Sequence, residues 1–158
     1  TFFVEEDKII TALFEEGLDV LHLRKPETPA MYSERLLTLI PDKYHRRIVT
    51  HEQFYMIEEF NLMVIHLIAR NPKEPHDYYG HISCSCHSVE DVKNRKHFYD
   101  YVFMSPIYDS ISKVNYYSTY TAEELREAQR AKIIDSKVMA LGGINDDNLL
   151  EIIDFGFG

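Results

Sequence analysis

The feature that most restricts this chain is a repeated alternation of short apolar, β-prone runs with segments of helical spacing. The runs "LDVLHLR" (18–24), "RRIVTH" (46–51), "LMVIHLI" (62–68), "HISCSCH" (81–87), "YVFMSPIY" (101–108) and "KVMALGGI" (137–144) predict strands. Between them, "EEDKIITALFEEG" (5–17) places Ile9, Ile10, Leu13 and Phe14 at helical spacing, with Gly17 set to end the helix. Further helices are predicted over 29–41, 52–60, 88–96, 121–133 and 145–156. Ser88 is the expected N-cap of the fourth, with Asp91 three residues on. Thr121 with Glu124 forms a capping box for the fifth, and Asn145 is the expected cap of the last. Residues 69–79 hold Pro72 and Pro75 and cannot form a long helix. Such βα alternation demands a parallel sheet covered by helices, and strands apolar on both faces agree. An open doubly wound sheet and a barrel both satisfy it.

At 158 residues the chain is read as one domain, 1–158, with no linker, repeat or low-complexity tract. A net charge of -9 argues against nucleic acid, which wants a basic stripe. It leaves phosphate ligands open, because these are held by local N–H groups and a few cations. No apolar run reaches membrane-spanning length and no cleavable leader is recognised, so the expectation is a cytosolic protein without a membrane partner. Cys84 and Cys86 share one strand face and are read as reduced core thiols. A metal site built from them with His87 lacks a second ligand pair at zinc-like spacing.

In parallel α/β folds ligands collect at the carboxyl ends of strands. That rule selects His22 and Arg24 with Lys25 after the first strand, Thr50 and His51 after the second, and Arg70 and Asn71 after the third. It selects Ser85 and His87, which alternate to the side opposite the cysteines. After "SPIY" stand Ser110, Ser112 and Lys113, hydroxyl and ammonium donors suited to a phosphate or pyrophosphate, or simply a solvated loop. Gly142 and Gly143 precede the last predicted helix. Lacking Cβ atoms, they would let a phosphate approach the backbone, although a glycine pair at such a turn also serves geometry alone. His66, in mid-strand, is read as a packed, hydrogen-bonded histidine.

These motifs together resemble the thiamin-phosphate synthase and thiazole tautomerase family, in the right order through nearly the whole chain. "LHLRKPE" resembles the family's Gln/His-x-Arg-x-Lys strand end, and "SCSCHSVEDV" its Ser-x-His-[ST] segment. "SPIYDSISK" is similar to the Gly-Pro-[IV]-[FY]-x-Thr-x-[ST]-Lys loop, and "VMALGGI" to the final Gly-Gly-Ile turn. The resemblance implies a (β/α)8 TIM-type barrel, of which about six βα units are visible. Strands matching the first and last are not seen, so a longer parent chain is expected. Open sheet edges favour a homo-oligomer.

Two chemistries follow from the resemblance. In the synthase, aminopyrimidine pyrophosphate loses pyrophosphate and the cation is captured by thiazole phosphate. Arg24 and Lys113 would hold the pyrophosphate, Ser85, Ser110 and Ser112 its oxygens, and Gly142 and Gly143 the thiazole phosphate. Mg2+ would assist, yet the family's Asn-Asp pair reads Thr50-His51 and its second Asp reads Asn71. Asp77 or Asp109 could substitute, and the family's lysine after the arginine falls on Pro26, with Lys25 displaced by one. The tautomerase instead moves a proton on a carboxythiazole phosphate, and the resemblance makes His87 its acid–base group, aided by His51 or His22. A module that binds thiazole or thiamin phosphate without turnover is the alternative from another class. A sugar-phosphate epimerase would want acidic residues at several strand ends, where this chain has few.

Overall fold

The computed structural model describes residues 4–109 and 117–158. They fall into two compact units, Thr1–Ile82 and Ser83–Gly158. In the first, α1 (Glu6–Glu15) leads to β1 (Leu21–Leu23), α2 (Ala30–Leu39), β2 (Ile48–Thr50), α3 (Met56–Glu59) and β3 (Val64–Leu67). Gly17 ends α1 at φ 107, and Leu18 N–H turns back to the Leu13 carbonyl at 2.9 Å. That closing turn consumes Leu18, so β1 is shorter than the apolar run that encodes it.

The three strands pair in parallel. Leu21, His22 and Leu23 lie against Ile48, Val49 and Thr50, and Val49 and Thr50 lie against Val64 and Ile65. Leu21, Leu23 and Ile48 pack on Ile10 and Phe14 of α1 and on Leu36 and Leu37 of α2. Phe14 also stacks on Tyr44, with ring centroids 4.8 Å apart. Each fully buried side chain among these, such as Leu37 or Ile48, contributes about 1.5–3 kcal/mol. The buried His45 ring nitrogens meet the Phe60 carbonyl at 2.9 Å and the Leu37 and Ile40 carbonyls at 3.0 Å, which closes the end of α2.

The second unit takes in β4 (His81–Cys86) from Ser83 on, followed by α4 (Val89–Arg95), β5 (Tyr101–Met104), α5 (Ala122–Arg130), β6 (Val138–Ala140) and α6 (Leu149–Asp154). Its strands are again parallel, Cys84 facing Val102 and Val102 facing Val138. Cys84, Cys86, Val102, Met104 and Val138 are fully buried, and both cysteines are free thiols, as expected of core residues. Lys96 is buried and bound: its ammonium donates to the Lys132 carbonyl at 2.7 Å and the Ile133 carbonyl at 2.9 Å, and pairs with Asp135. No described helix is long and apolar enough to cross a membrane.

Ser88 caps α4 by accepting from Asp91 N–H at 3.0 Å, and the Thr121–Glu124 box is complete, both as the sequence predicts. The last helix differs. Asn145 accepts from Asp147 N–H in a local turn, and α6 begins only at Leu149. Asn and Asp side chains bond the backbone two residues on, and that competing turn delays the helix. Replacing Thr121 with Ala should cost about 1 kcal/mol of stability by urea unfolding, with little change in the m-value.

Candidate active-site residues in the two units

In the first unit, strand alternation decides which side chains are presented. Leu21 and Leu23 turn toward the helices, so His22 and Arg24 turn away from them. Leu23 pairs with Thr50 and Thr50 with Ile65, so one residue further the register brings Arg24, His51 and His66 side by side. The histidines do cluster. His22 Nδ1 lies 2.9 Å from His51 Nε2, and the His51 and His66 ring centroids are 4.3 Å apart. His22 stands edge-on to both partners, at 5.1 Å and 5.3 Å.

Burial lowers the pKa of all three, to about 4 for His22, about 3 for His66 and about 2 for His51. The neighbouring rings and the Arg24 guanidinium add to the effect at His51 and His66. The cluster is therefore neutral at pH 7. In the sequence His22, His51 and His66 stand far apart as single residues; strand parity is the signal that joins them.

The positions where the family resemblance expects hard-oxygen ligands are different in kind. Thr50 is buried on the helix side and donates its hydroxyl to the Glu52 carbonyl at 2.6 Å. The Glu52 carboxylate pairs with Arg70 at 3.2 Å. Asn71 closes a tight backbone turn with Ile68. Asp77 accepts from His76, and Asp109 from Ser118 N–H at 2.8 Å. Among the described residues the one group of potential ligands is His22, His51 and His66. A nitrogen set of this sort does not suit Mg2+, which prefers carboxylate and water oxygens. Lys25, displaced from the family's lysine position, is buried against Glu6 at 2.5 Å.

In the second unit the ladder runs past the strand ends. Ser105 N–H reaches the Cys86 carbonyl at 3.1 Å, Leu141 N–H reaches Met104, and Tyr108 N–H reaches Gly142 at 3.0 Å. His87, just beyond β4, is held within this frame. Its Nδ1 donates to the Ser105 carbonyl at 3.0 Å, its N–H donates to Asp91 at 3.2 Å, and its carbonyl accepts from the Tyr120 hydroxyl at 2.7 Å. A carbonyl can only accept, so Nδ1 carries a proton, and in a neutral ring the lone pair would then be on Nε2. Ser85 is half-buried on β4, two residues before His87 and on the same side of the strand.

Gly142 and Gly143 have φ of 103° and 65°. A Cβ on Gly143 would lie 2.5 Å from the Asp109 carbonyl oxygen and 2.8 Å from Tyr108 Cβ. Close approach of the chain after β5 therefore requires glycine there. The expected helix N-terminus is not adjacent, because α6 starts six residues beyond Gly143. An open cleft of about 440 Å3 borders Gly143, with Asp109, Ser118 and Glu151 on its walls. Tyr108 donates to Glu151 at 2.6 Å; burial and that carboxylate push its pKa to about 12. Ser110, Ser112 and Lys113 lie outside the described residues.

The sequence model of the family described as "Thiamine monophosphate synthase" matches residues 5–158. The chain belongs to the thiamine monophosphate synthase family. A solved thiamine phosphate pyrophosphorylase of Bacteroides thetaiotaomicron is 85% identical, with a TM-score of 0.92 over 100% of this chain and 76% of that one. A thiamine phosphate pyrophosphorylase of Pyrococcus furiosus shares the fold at 18% identity, with a TM-score of 0.73 over 96% of this chain and 76% of that one. No curated protein gives a significant match. The parallel βα units are thus those of a TIM-barrel-type fold, as the motif series implied.

Two outcomes follow for this family member. In Gly143→Ala the left-handed backbone alone costs about 1–2 kcal/mol, and the clash with Asp109 adds to it, so the melting temperature should drop by several degrees. The buried histidines take up protons near pH 6.5 when unfolded but resist protonation down to about pH 4 when native. Stability should therefore fall as pH drops from about 6.5 toward 4, by up to about 1.4 kcal/mol per pH unit for each histidine. Urea titrations at pH 7 and 5 should show this loss, and His66→Gln should reduce it.

Proposed function

We propose that this family member is a proton-transfer enzyme acting on a thiazole phosphate, a tautomerase, with His87 as its acid–base group. The observation that carries this reading is the ligand set: Thr50, His51 and Asn71 occupy the positions where the family resemblance implies the synthase's Asn-Asp pair and second Asp. Proton transfer needs no such set. It needs one base with a fixed tautomer, and His87 Nε2 answers that need.

In this reading Nε2 accepts a proton from the carboxythiazole and the resulting imidazolium returns it at the second position. No atom is gained or lost and the ring becomes aromatic. The Ser105 carbonyl keeps Nδ1 protonated throughout and stabilises the transient cation. His22, Arg24, Ser85, Ser110, Ser112, Lys113, Gly142 and Gly143 are proposed to bind the substrate, Arg24 and Lys113 by supplying positive charge to its phosphate.

The second reading is the transferase, joining aminopyrimidine pyrophosphate to thiazole phosphate. It is favoured by the 85% identical relative, a thiamine phosphate pyrophosphorylase. The two separate in one pair of assays. The tautomerase predicts metal-independent exchange of solvent deuterium into the carboxythiazole phosphate, reduced by about 100-fold or more in His87→Gln. Binding of the same ligand by calorimetry should change little. Full exchange in His87→Gln would remove that residue from the mechanism. Formation of thiamine phosphate that depends on Mg2+, without thiazole exchange, would establish the transferase instead. Binding with neither activity would mark a non-catalytic module.

A further inference from the structure

We propose that His22, His51 and His66 form a binding site for a borderline divalent cation of the Zn2+ type. The three side chains come from successive strand ends, and their ligand nitrogens all lie within 4.8 Å of one another. Zn2+ holds imidazole nitrogens at about 2.0–2.1 Å, which sets two of them about 3.4 Å apart on a tetrahedral ion. Reaching that spacing closes the widest pair by at most about 1.4 Å.

Two features go beyond proximity. Imidazole nitrogens 2.9 Å apart, as in His22 and His51, need a proton or a cation between their lone pairs. A proton serves that pair yet leaves His51 Nδ1, on a side chain only 7% exposed, with no hydrogen-bond partner. Buried polar atoms are rarely left so, and a cation would satisfy this nitrogen by binding His51 through Nδ1 while Nε2 keeps its proton toward His22. The donor set is also selective. Three neutral imidazoles suit Zn2+, Co2+ and Ni2+ and offer nothing that Mg2+ prefers. Three protein ligands leave a fourth position open, and the nearby Arg24 charge favours an anionic oxygen there. The site shares His22 and Arg24 with the proposed substrate-binding set, yet it does not depend on which chemistry His87 serves.

The test is titration of the metal-stripped protein with Co2+, followed by visible absorption, and with Zn2+, followed by calorimetry. One equivalent should bind with the strong visible absorption of tetrahedral nitrogen coordination, and excess Mg2+ should not displace it. His51→Asn and His22→Asn should each weaken binding by at least about tenfold. The half-buried His22 supplies a variant that should fold if His51→Asn does not. His76→Gln, at an exposed histidine, should bind as the parent does. Absence of binding, octahedral weak absorption, or full binding in the folded His22 and His51 variants would overturn the proposal.

Discussion

Everything chemical in this protein depends on the two-residue alternation of its parallel strands. Leu21, Leu23 and Ile48 lock the first unit's strands to α1 and α2, and their burial fixes where His22, Arg24 and the residues beside them must point. In the second unit Cys84, Cys86, Val102 and Met104 do the same on β4 and β5. A slip of one residue would bury Ser85 and expose the cysteines. The helix-facing residues carry much of the stability; the other face holds polar groups beside apolar ones such as Val49 and Val64.

Element order was readable because each apolar run and each cap carries its own local physics. Ser88 and Thr121 serve as caps because their hydroxyls reach N–H groups three residues on, a local event. The failures were also local competitions. Asn145 has the chemistry of a cap but closes its own turn, so α6 starts late. The glycine pair was open to two readings. The backbone of Tyr108 and Asp109 pressing on Gly143 supplies a sufficient structural reason for it. The histidine cluster was the hardest to see, because its members are separated by 29 and 15 positions and only strand register unites them. His66 taken alone was well described as a packed histidine; its neighbours change its meaning.

The two histidine environments divide the chemistry. Within the first unit, burial and mutual proximity keep three rings neutral, which makes them donors of lone pairs and poor carriers of protons at pH 7. In the second unit His87 is oriented by a carbonyl and borders solvent, so its ring is not enclosed as those three are. Residue type alone does not separate these roles; desolvation does.

The anchoring of His87 has a consequence for how the protein tolerates local melting. Its main chain is tied to Asp91 within α4 and to Tyr120 ahead of α5, while its ring is tied to the turn after β5. Fraying of any one of these three stretches releases the imidazole before the unit itself unfolds. The orientation of the ring should then be lost at lower temperature or denaturant than compactness is, and surface changes in α4 can still loosen it.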